Sequence, residues 1–237
     1  MVHEGDQAAV DEVMDALIEG RESQYAIEHR IRNGHGEVVW VHNRASALER
    51  DASGRAVRLV GLLGDVTDRR RTMLQFEYLA HHDTLTGLLN RTAFWDAVRG
   101  ALLTEQPAAL VLVDLDEFKP VNDDHGHDIG DRLLMEVAAR LHGVLRRSDT
   151  IARLGGDEFA ILCPNFQGGR DERIVTRILA TLAEPFAIED RIITISGSAG
   201  VAIASGTDQP DQLYARADAA LYSAKRAGRN CYAIADP

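Results

Sequence analysis

The chain has 237 residues, 45% hydrophobic and 27% charged, with a formal net charge of -11. That length holds one well-packed domain plus a smaller one, and the acidic balance excludes an extended basic nucleic-acid surface. No apolar run approaches membrane-spanning length, no charged-then-apolar leader stands at Met1, and Cys163 and Cys231 lack metal or redox spacing, so two buried reduced thiols in a soluble cytoplasmic protein are expected.

Residues 1–64 open with a polar helical pattern over 5–20 and continue in strand-like runs at 25–32, 38–49 and 57–63. Gly34-His35-Gly36 and residues 51–54 punctuate these runs as hairpin turns. Residues 65–82, DVTDRRRTMLQFEYLAHH, read as a helix whose Asp-Val-Thr-Asp start can cap it. Val66, Met73, Phe76 and Ala80 occupy a and d positions of a heptad, with Arg69 as the polar exception. The run is short for a coiled coil, and an amphipathic helix docked on the domain that follows is the alternative, but its capping start and its position between two domains favour a signalling linker.

A helix is predicted over 91–104, and then an apolar strand over 108–114 that ends in Asp114-Leu115-Asp116 and is followed by Phe118-Lys119. A buried strand delivering a carboxylate at its end is a metal platform if a second carboxylate meets it, and otherwise a strand end that caps the next helix. Residues 122–131 read as a polar, Gly-punctuated loop running into a helix that extends to 145. Within it, Asn122 both donates and accepts while Asp131 only accepts, which matches the donor and acceptor pattern of the guanine edge. His125 and His127 have no cysteine partner nearby, so a closed zinc site is not expected.

Residues 153–159 read RLGGDEF, with β-favouring flanks at 149–154 and 159–163. Gly155-Gly156 supplies the positive φ of a tight hairpin and leaves room for an anion, and Asp157 and Glu158 offer hard oxygen ligands suited to Mg²⁺ or Mn²⁺. A solvated turn has the same composition. Helices over 171–183 and 210–226 and strands over 192–204 and 231–234 complete an α+β domain around a central, mainly antiparallel sheet.

Four blocks now stand in order: Asp83-x-Leu85-Thr86-Gly87-Leu88-x-Asn90-Arg91; the run from Asp114 through Asn122 to Asp131; RLGGDEF; and Asp218-x-Ala220-Leu221-Tyr222-x-Ala224-Lys225-x-x-Gly228-Arg229-Asn230. Together, over residues 79–235, they closely resemble a GGDEF domain, the diguanylate cyclase family. Glu28-x-Arg30, Gly36-Glu37-x-x-Trp40 and the exit Gly64-Asp65-Val66-Thr67-Asp68-Arg69 resemble the C-terminal part of a PAS sensor domain. Its first strands and helices are missing, so a fragment of a longer protein is expected, with an incomplete pocket for an unknown ligand; a phosphodiesterase domain beyond residue 237 is compatible with this.

The resemblance implies a nucleotidyl-cyclase or palm-like sheet flanked by helices. It divides the chain into a partial PAS-like α/β domain at 1–64, a helical linker at 65–82 and a cyclase domain at 83–237. It implies that two GTP molecules, one on each domain of a homodimer, condense into cyclic di-GMP with release of pyrophosphate. Asp114, Glu158 and Asp157, with the Leu115 carbonyl, would hold two Mg²⁺ or Mn²⁺ ions, and Asp157 or Glu158 would help deprotonate the attacking hydroxyl. Asn122 and Asp131 would read guanine; Lys119, Lys225 and Arg229 would neutralise the triphosphate, cradled by backbone amides around Glu117 and Phe118. Arg146 and Asp149, an Arg-x-x-Asp ahead of the glycines, match an inhibitory product site, with Arg177 as a secondary contact. The intact signature favours an enzyme over a non-catalytic GTP or cyclic di-GMP binding module.

Overall fold

The computed structural model describes every residue except 105, 168, 170, 205–207 and 236–237. The chain forms two compact units, Met1–Glu77 and Tyr78–Pro237.

In the first unit, helix α1 (Gln7–Ile18) buries Val10, Ala16 and Leu17, and packs on the antiparallel sheet β1 (Gln24–Arg32), β2 (Val38–Arg50) and β3 (Ala56–Asp65). The hairpins close where expected, with Gly36 at φ 86° and Gly54 at φ 87°, conformations a side chain would strain. Helix α2 (Thr67–His81) begins here: Asp65 Oδ1 accepts from the Thr67 amide at 2.8 Å, and the Thr67 hydroxyl accepts from the Trp40 amide at 2.9 Å. Glu28 on β1 accepts from Arg69 and from Arg70, and the Arg70 guanidinium lies 3.8 Å from the centre of the Trp40 ring. Farther along α2, the heptad residues Met73 and Phe76 are exposed.

The second unit is built on a five-stranded sheet in the order β10-β9-β4-β6-β5, antiparallel throughout except for the β9–β10 pair. The strands are β4 (Ala108–Asp116), β5 (Thr150–Gly155), β6 (Glu158–Pro164), β9 (Ser196–Ile203) and β10 (Tyr232–Ile234), and a separate hairpin pairs β7 (Phe186–Ile188) with β8 (Arg191–Ile193). Alternation along β4 and β6 sends Val111, Val113, Phe159 and Ile161 to one face, under α5 (His127–Val144) and α6 (Glu172–Ala183). Leu110, Leu112, Ala160 and Leu162 go to the other face, under α3 (Arg91–Leu102) and α7 (Pro210–Arg226). Helix α7 lies so close on β9 that a Cβ at Gly200 would fall 2.1 Å from the Ala217 carbonyl oxygen. This is the α+β fold expected, with the mainly antiparallel sheet between helical layers.

Three expectations need correction. Residues 122–131 are not a loop: α4 (Phe118–His125) and the first turns of α5 cover them, broken only at Gly126, φ 88°. Their polarity reflects exposed helix faces, with Phe118 and Ile129 supplying the buried contacts. The strand expected over 192–204 is two, β8 and β9, which pair in different sheets. Cys163 is buried as expected, but Cys231 is only half-buried, at the open start of β10.

Candidate active site

Strand β4 carries its apolar run to Leu115 and places Asp114 directly opposite Glu158 in the β4–β6 register, one pair from the signature turn. Directly opposed residues of an antiparallel pair point to the same face, so the two carboxylates share the α3/α7 side of the sheet. There Lys225, near the end of α7, donates Nζ to Asp114 Oδ1 at 2.7 Å. The turn itself has the backbone its glycines require, Gly155 at φ 148° and Gly156 at φ 54°. The Leu115 amide donates to the Asp157 carbonyl at 3.2 Å, so the β4 end and the hairpin tip are joined through their main chains.

Burial pushes the Asp114 carboxyl above its ordinary range despite the Lys225 ion pair, and the nearby charges of Asp157 and Asp116 add to the shift. Glu158 is raised as well, first by desolvation and then by Asp114 and Asp157, against the pull of Arg91 and Lys225. Among the described residues no three acidic, histidine or cysteine side chains converge as a metal-holding group. The donor set to consider is therefore the carboxylate pair together with a backbone carbonyl.

Asp116, at the last position of β4, is 5% exposed and fully engaged: the Ser196 and Ser198 hydroxyls each donate at 2.7 Å and the Asn230 amide at 3.1 Å. It ties β4 to β9 and to the segment after α7. Glu117 follows in the left-handed region, φ 60°, and turns the chain into α4, so Phe118 is buried while Lys119 is exposed. Glu117 and Arg229 line a cleft of about 710 Å³ between α4, the β8–β9 segment and residues 228–230. Of the expected site residues, Asp114, Asp157, Glu158 and Lys225 are not among its lining residues, and neither are Phe118, Lys119, Asn122 and Asp131, so only Glu117 and Arg229 belong to this cleft.

Asn122 and Asp131 sit on successive helices. A Cβ at Gly130 would lie 1.9 Å from Asn122 Oδ1, so only glycine lets α5 approach that amide, and Asn122 is held beside the residue that precedes Asp131. Sequence reading missed two supports of the hairpin. Arg153 reaches both carboxylate oxygens of Asp83, at 3.2 and 3.3 Å, and donates Nε to the Gly156 carbonyl at 2.9 Å. Arg91, at the start of α3, bears electrostatically on Glu158 and on the Tyr214 hydroxyl. Asp83, Arg91 and Arg153 all stand in the recognised blocks, but nothing in the sequence alone says which carboxylate the arginines meet.

The Arg-x-x-Asp segment is a tight turn after α5. The Asp149 amide donates to the Arg146 carbonyl at 3.0 Å, and the Arg146 amide donates to Asp149 Oδ2 at 2.8 Å. The Arg146 guanidinium is 2.6 Å from Asp171 at the start of α6, and Arg177 donates to the Val144 carbonyl, so all three residues gather at the C-terminal end of α5. No helix of the described residues is long and apolar enough to cross a membrane.

The sequence matches the family described as diguanylate cyclase, GGDEF domain, over residues 80–231, and the PAS fold over residues 1–63. It is 38% identical over 190 residues to the probable diguanylate cyclase DgcE of Escherichia coli, covering 78% of this chain and 17% of that protein. With the diguanylate cyclase DgcM of the same species it shares 34% identity over 224 residues, 87% of this chain and 52% of the relative. The chain thus spans about half or less of the length of these relatives. Among solved structures, the coiled coil and GGDEF domain of DgcB from Caulobacter crescentus, in complex with c-di-GMP, superposes with a TM-score of 0.67 at 30% identity, covering 72% of this chain and 93% of that one.

Proposed function

The chain belongs to the GGDEF family of diguanylate cyclases, with a PAS fold ahead of the cyclase domain, and on that premise we propose that it condenses two GTP molecules into cyclic di-GMP and two pyrophosphates. The observation that carries this reading is the opposition of Asp114 and Glu158 in one register pair, with Lys225 on Asp114. Two carboxylates held close and partly desolvated, both with raised proton affinity, favour a cation between them. Asp114 and Glu158, with the Leu115 carbonyl, are the residues that would hold Mg²⁺ or Mn²⁺, two ions per site, with Asp157 of the adjoining turn as a further ligand. Bound there, such ions supply charge neutralisation of the triphosphate and polarise its phosphoryl oxygens.

The residues of the chain then have distinct tasks. Asn122 and Asp131 hydrogen-bond the guanine edge, and the Glu117–Phe118 backbone, Lys119, Lys225 and Arg229 hold the triphosphate. The 3′-hydroxyl oxygen of one GTP attacks the α-phosphorus of the other as the bond to the pyrophosphate oxygen breaks, and Asp157 or Glu158 receives the hydroxyl proton. Repeating the step on the second pair closes the ring. Each domain holds one GTP, so the reaction runs across two copies of the chain. The exposed Met73 and Phe76 of α2, in the linker at 65–82 between a partial sensor domain at 1–64 and the cyclase domain at 83–237, support pairing through that helix. Arg146 and Asp149, with Arg177 beside them, form a product site that feeds back on turnover.

The test is nucleotide turnover measured with oligomeric state. Purified chain with GTP and Mg²⁺ yields cyclic di-GMP and pyrophosphate as a dimer, and Glu158→Gln reduces the rate by about a hundredfold or more. Full activity in that variant would remove the metal assignment. GTP binding without turnover in a dimer would leave a binding module that signals by conformation.

A further inference from the structure

The polar ends of the Arg-x-x-Asp segment are already engaged within the protein. Arg146 Nη2 donates to Asp171 Oδ1 at 2.6 Å, and Asp149 Oδ2 accepts from the Arg146 amide. The partners differ in freedom. The Arg146 side chain is 53% exposed, whereas that of Asp171 is 10% exposed and anchored by a second bond, its Oδ2 accepting from the Gln167 amide at 2.8 Å. Of the two, the arginine is the partner with room to move.

We propose that Asp171 is an internal competitor for the product site: it occupies Arg146 in the unliganded chain, and cyclic di-GMP is bound only by the population in which that ion pair is open. This rests on the reading of Arg146 and Asp149 as the inhibitory site. Two effects follow from the geometry. The guanidinium fork suits a phosphodiester or a guanine edge as well as it suits a carboxylate, so ligand and Asp171 compete for the same donors. The bond from the Gln167 amide also keeps the carboxylate in place to recapture Arg146 when a ligand leaves. A competent fraction below one weakens apparent affinity by that fraction, so Asp171 raises the product concentration at which feedback begins. The largest influence holding the Arg146 guanidinium charged is its bond to Asp171, in keeping with a contact that a ligand must replace.

The experiment is calorimetric titration of cyclic di-GMP into the full chain, a readout independent of turnover. Asp171→Asn keeps an acceptor for the Gln167 amide and removes the charge; it is expected to bind about three- to tenfold more tightly than wild type. Asp171→Ser, a second variant that can still start the helix, should move the same way, and thermal unfolding establishes that each is folded. Arg146→Ala should abolish binding in either background. Unchanged or weaker binding in folded Asp171→Asn and Asp171→Ser, with Arg146→Ala abolishing it, would overturn the competition and leave Asp171 as a residue that positions Arg146. Unchanged binding in Arg146→Ala would remove the product-site reading itself, and the competition with it.

Discussion

Asp83 and Arg153, 70 positions apart in the chain, form a two-point ion pair that is largely shielded, their side chains 21% and 13% exposed. Each partner is tied locally as well. Asp83 Oδ1 accepts from the Thr86 amide at 2.9 Å and the Thr86 hydroxyl at 2.7 Å, and Arg153 holds the Gly156 carbonyl. The turn that precedes α3 is thereby fastened to the hairpin that presents Asp157 and Glu158. Asn90 anchors the same turn, donating to the Ala80 carbonyl and accepting from the Ala93 amide to cap α3.

Breaking this clamp should cost stability and precision together. Arg153→Ala leaves a shielded carboxylate with fewer partners, and we expect a loss of about 1–2 kcal/mol, below that for a fully buried pair because both groups retain some solvent. Thermal unfolding should shift down by roughly 3–6 °C. Cyclic di-GMP formation should fall further than stability alone accounts for, because the Gly156 carbonyl loses its donor. Activity unchanged in the folded variant would show that the hairpin needs no such support.

The two classes of carboxylate have opposite pH consequences. Burial raises Asp83, but the bonds from Thr86 and Arg153 outweigh it and hold its proton affinity below that of an ordinary aspartate. Its contribution is present above the unfolded value and is lost as pH falls through the lowered one. Glu158 is raised above 4.5, so the native state holds that proton more tightly, and stability is lost as pH rises from the unfolded value through the folded one. Melting curves of metal-free Glu158→Gln and wild type should therefore converge in acid and separate toward neutral pH, with the variant the more stable. Added Mg²⁺ at neutral pH should raise the wild-type midpoint and leave the variant nearly unmoved.

Gly130→Ala tests the guanine-reading geometry without replacing a polar group. The added methyl would stand 1.9 Å from Asn122 Oδ1, so either the amide or the α4–α5 approach must give. A misplaced hydrogen-bonding group weakens discrimination between purines. The expected outcome is a KM for GTP raised about tenfold with little change for ATP. An unaltered GTP KM would place guanine elsewhere.

The two thiols should behave differently toward alkylation. Burial, aided by the Asp149 charge, pushes the Cys163 thiol up to about 12, leaving almost no thiolate at neutral pH. Cys231 is half-buried, and its thiol bonds the Ala224 carbonyl. Mass spectrometry after maleimide treatment at pH 8 should find native chain modified at Cys231 and Cys163 modified only after denaturation.

Much of this protein is legible in its linear order, because the relevant physics is local. Gly155-Gly156 demands a turn wherever it stands, an apolar run ending in Asp114 delivers a carboxylate from a buried strand, and Thr67 two residues after Asp65 starts a helix. The hairpins of residues 1–64 follow from such short-range rules, whereas the cyclase and PAS assignments rest on the resemblance of whole blocks to known families. Polarity misled at residues 122–131, since an exposed helix face and a loop have the same composition, and the α4–α5 corner depends on a packing contact at Gly130. The tertiary structure alone decided which charges pair: Lys225 with Asp114, Arg153 with Asp83, Arg146 with Asp171, and Asp116 with the donors of Ser196, Ser198 and Asn230. These partners lie many residues apart along the chain, and strand order and helix placement bring them together; periodicity within a segment carries no information about either.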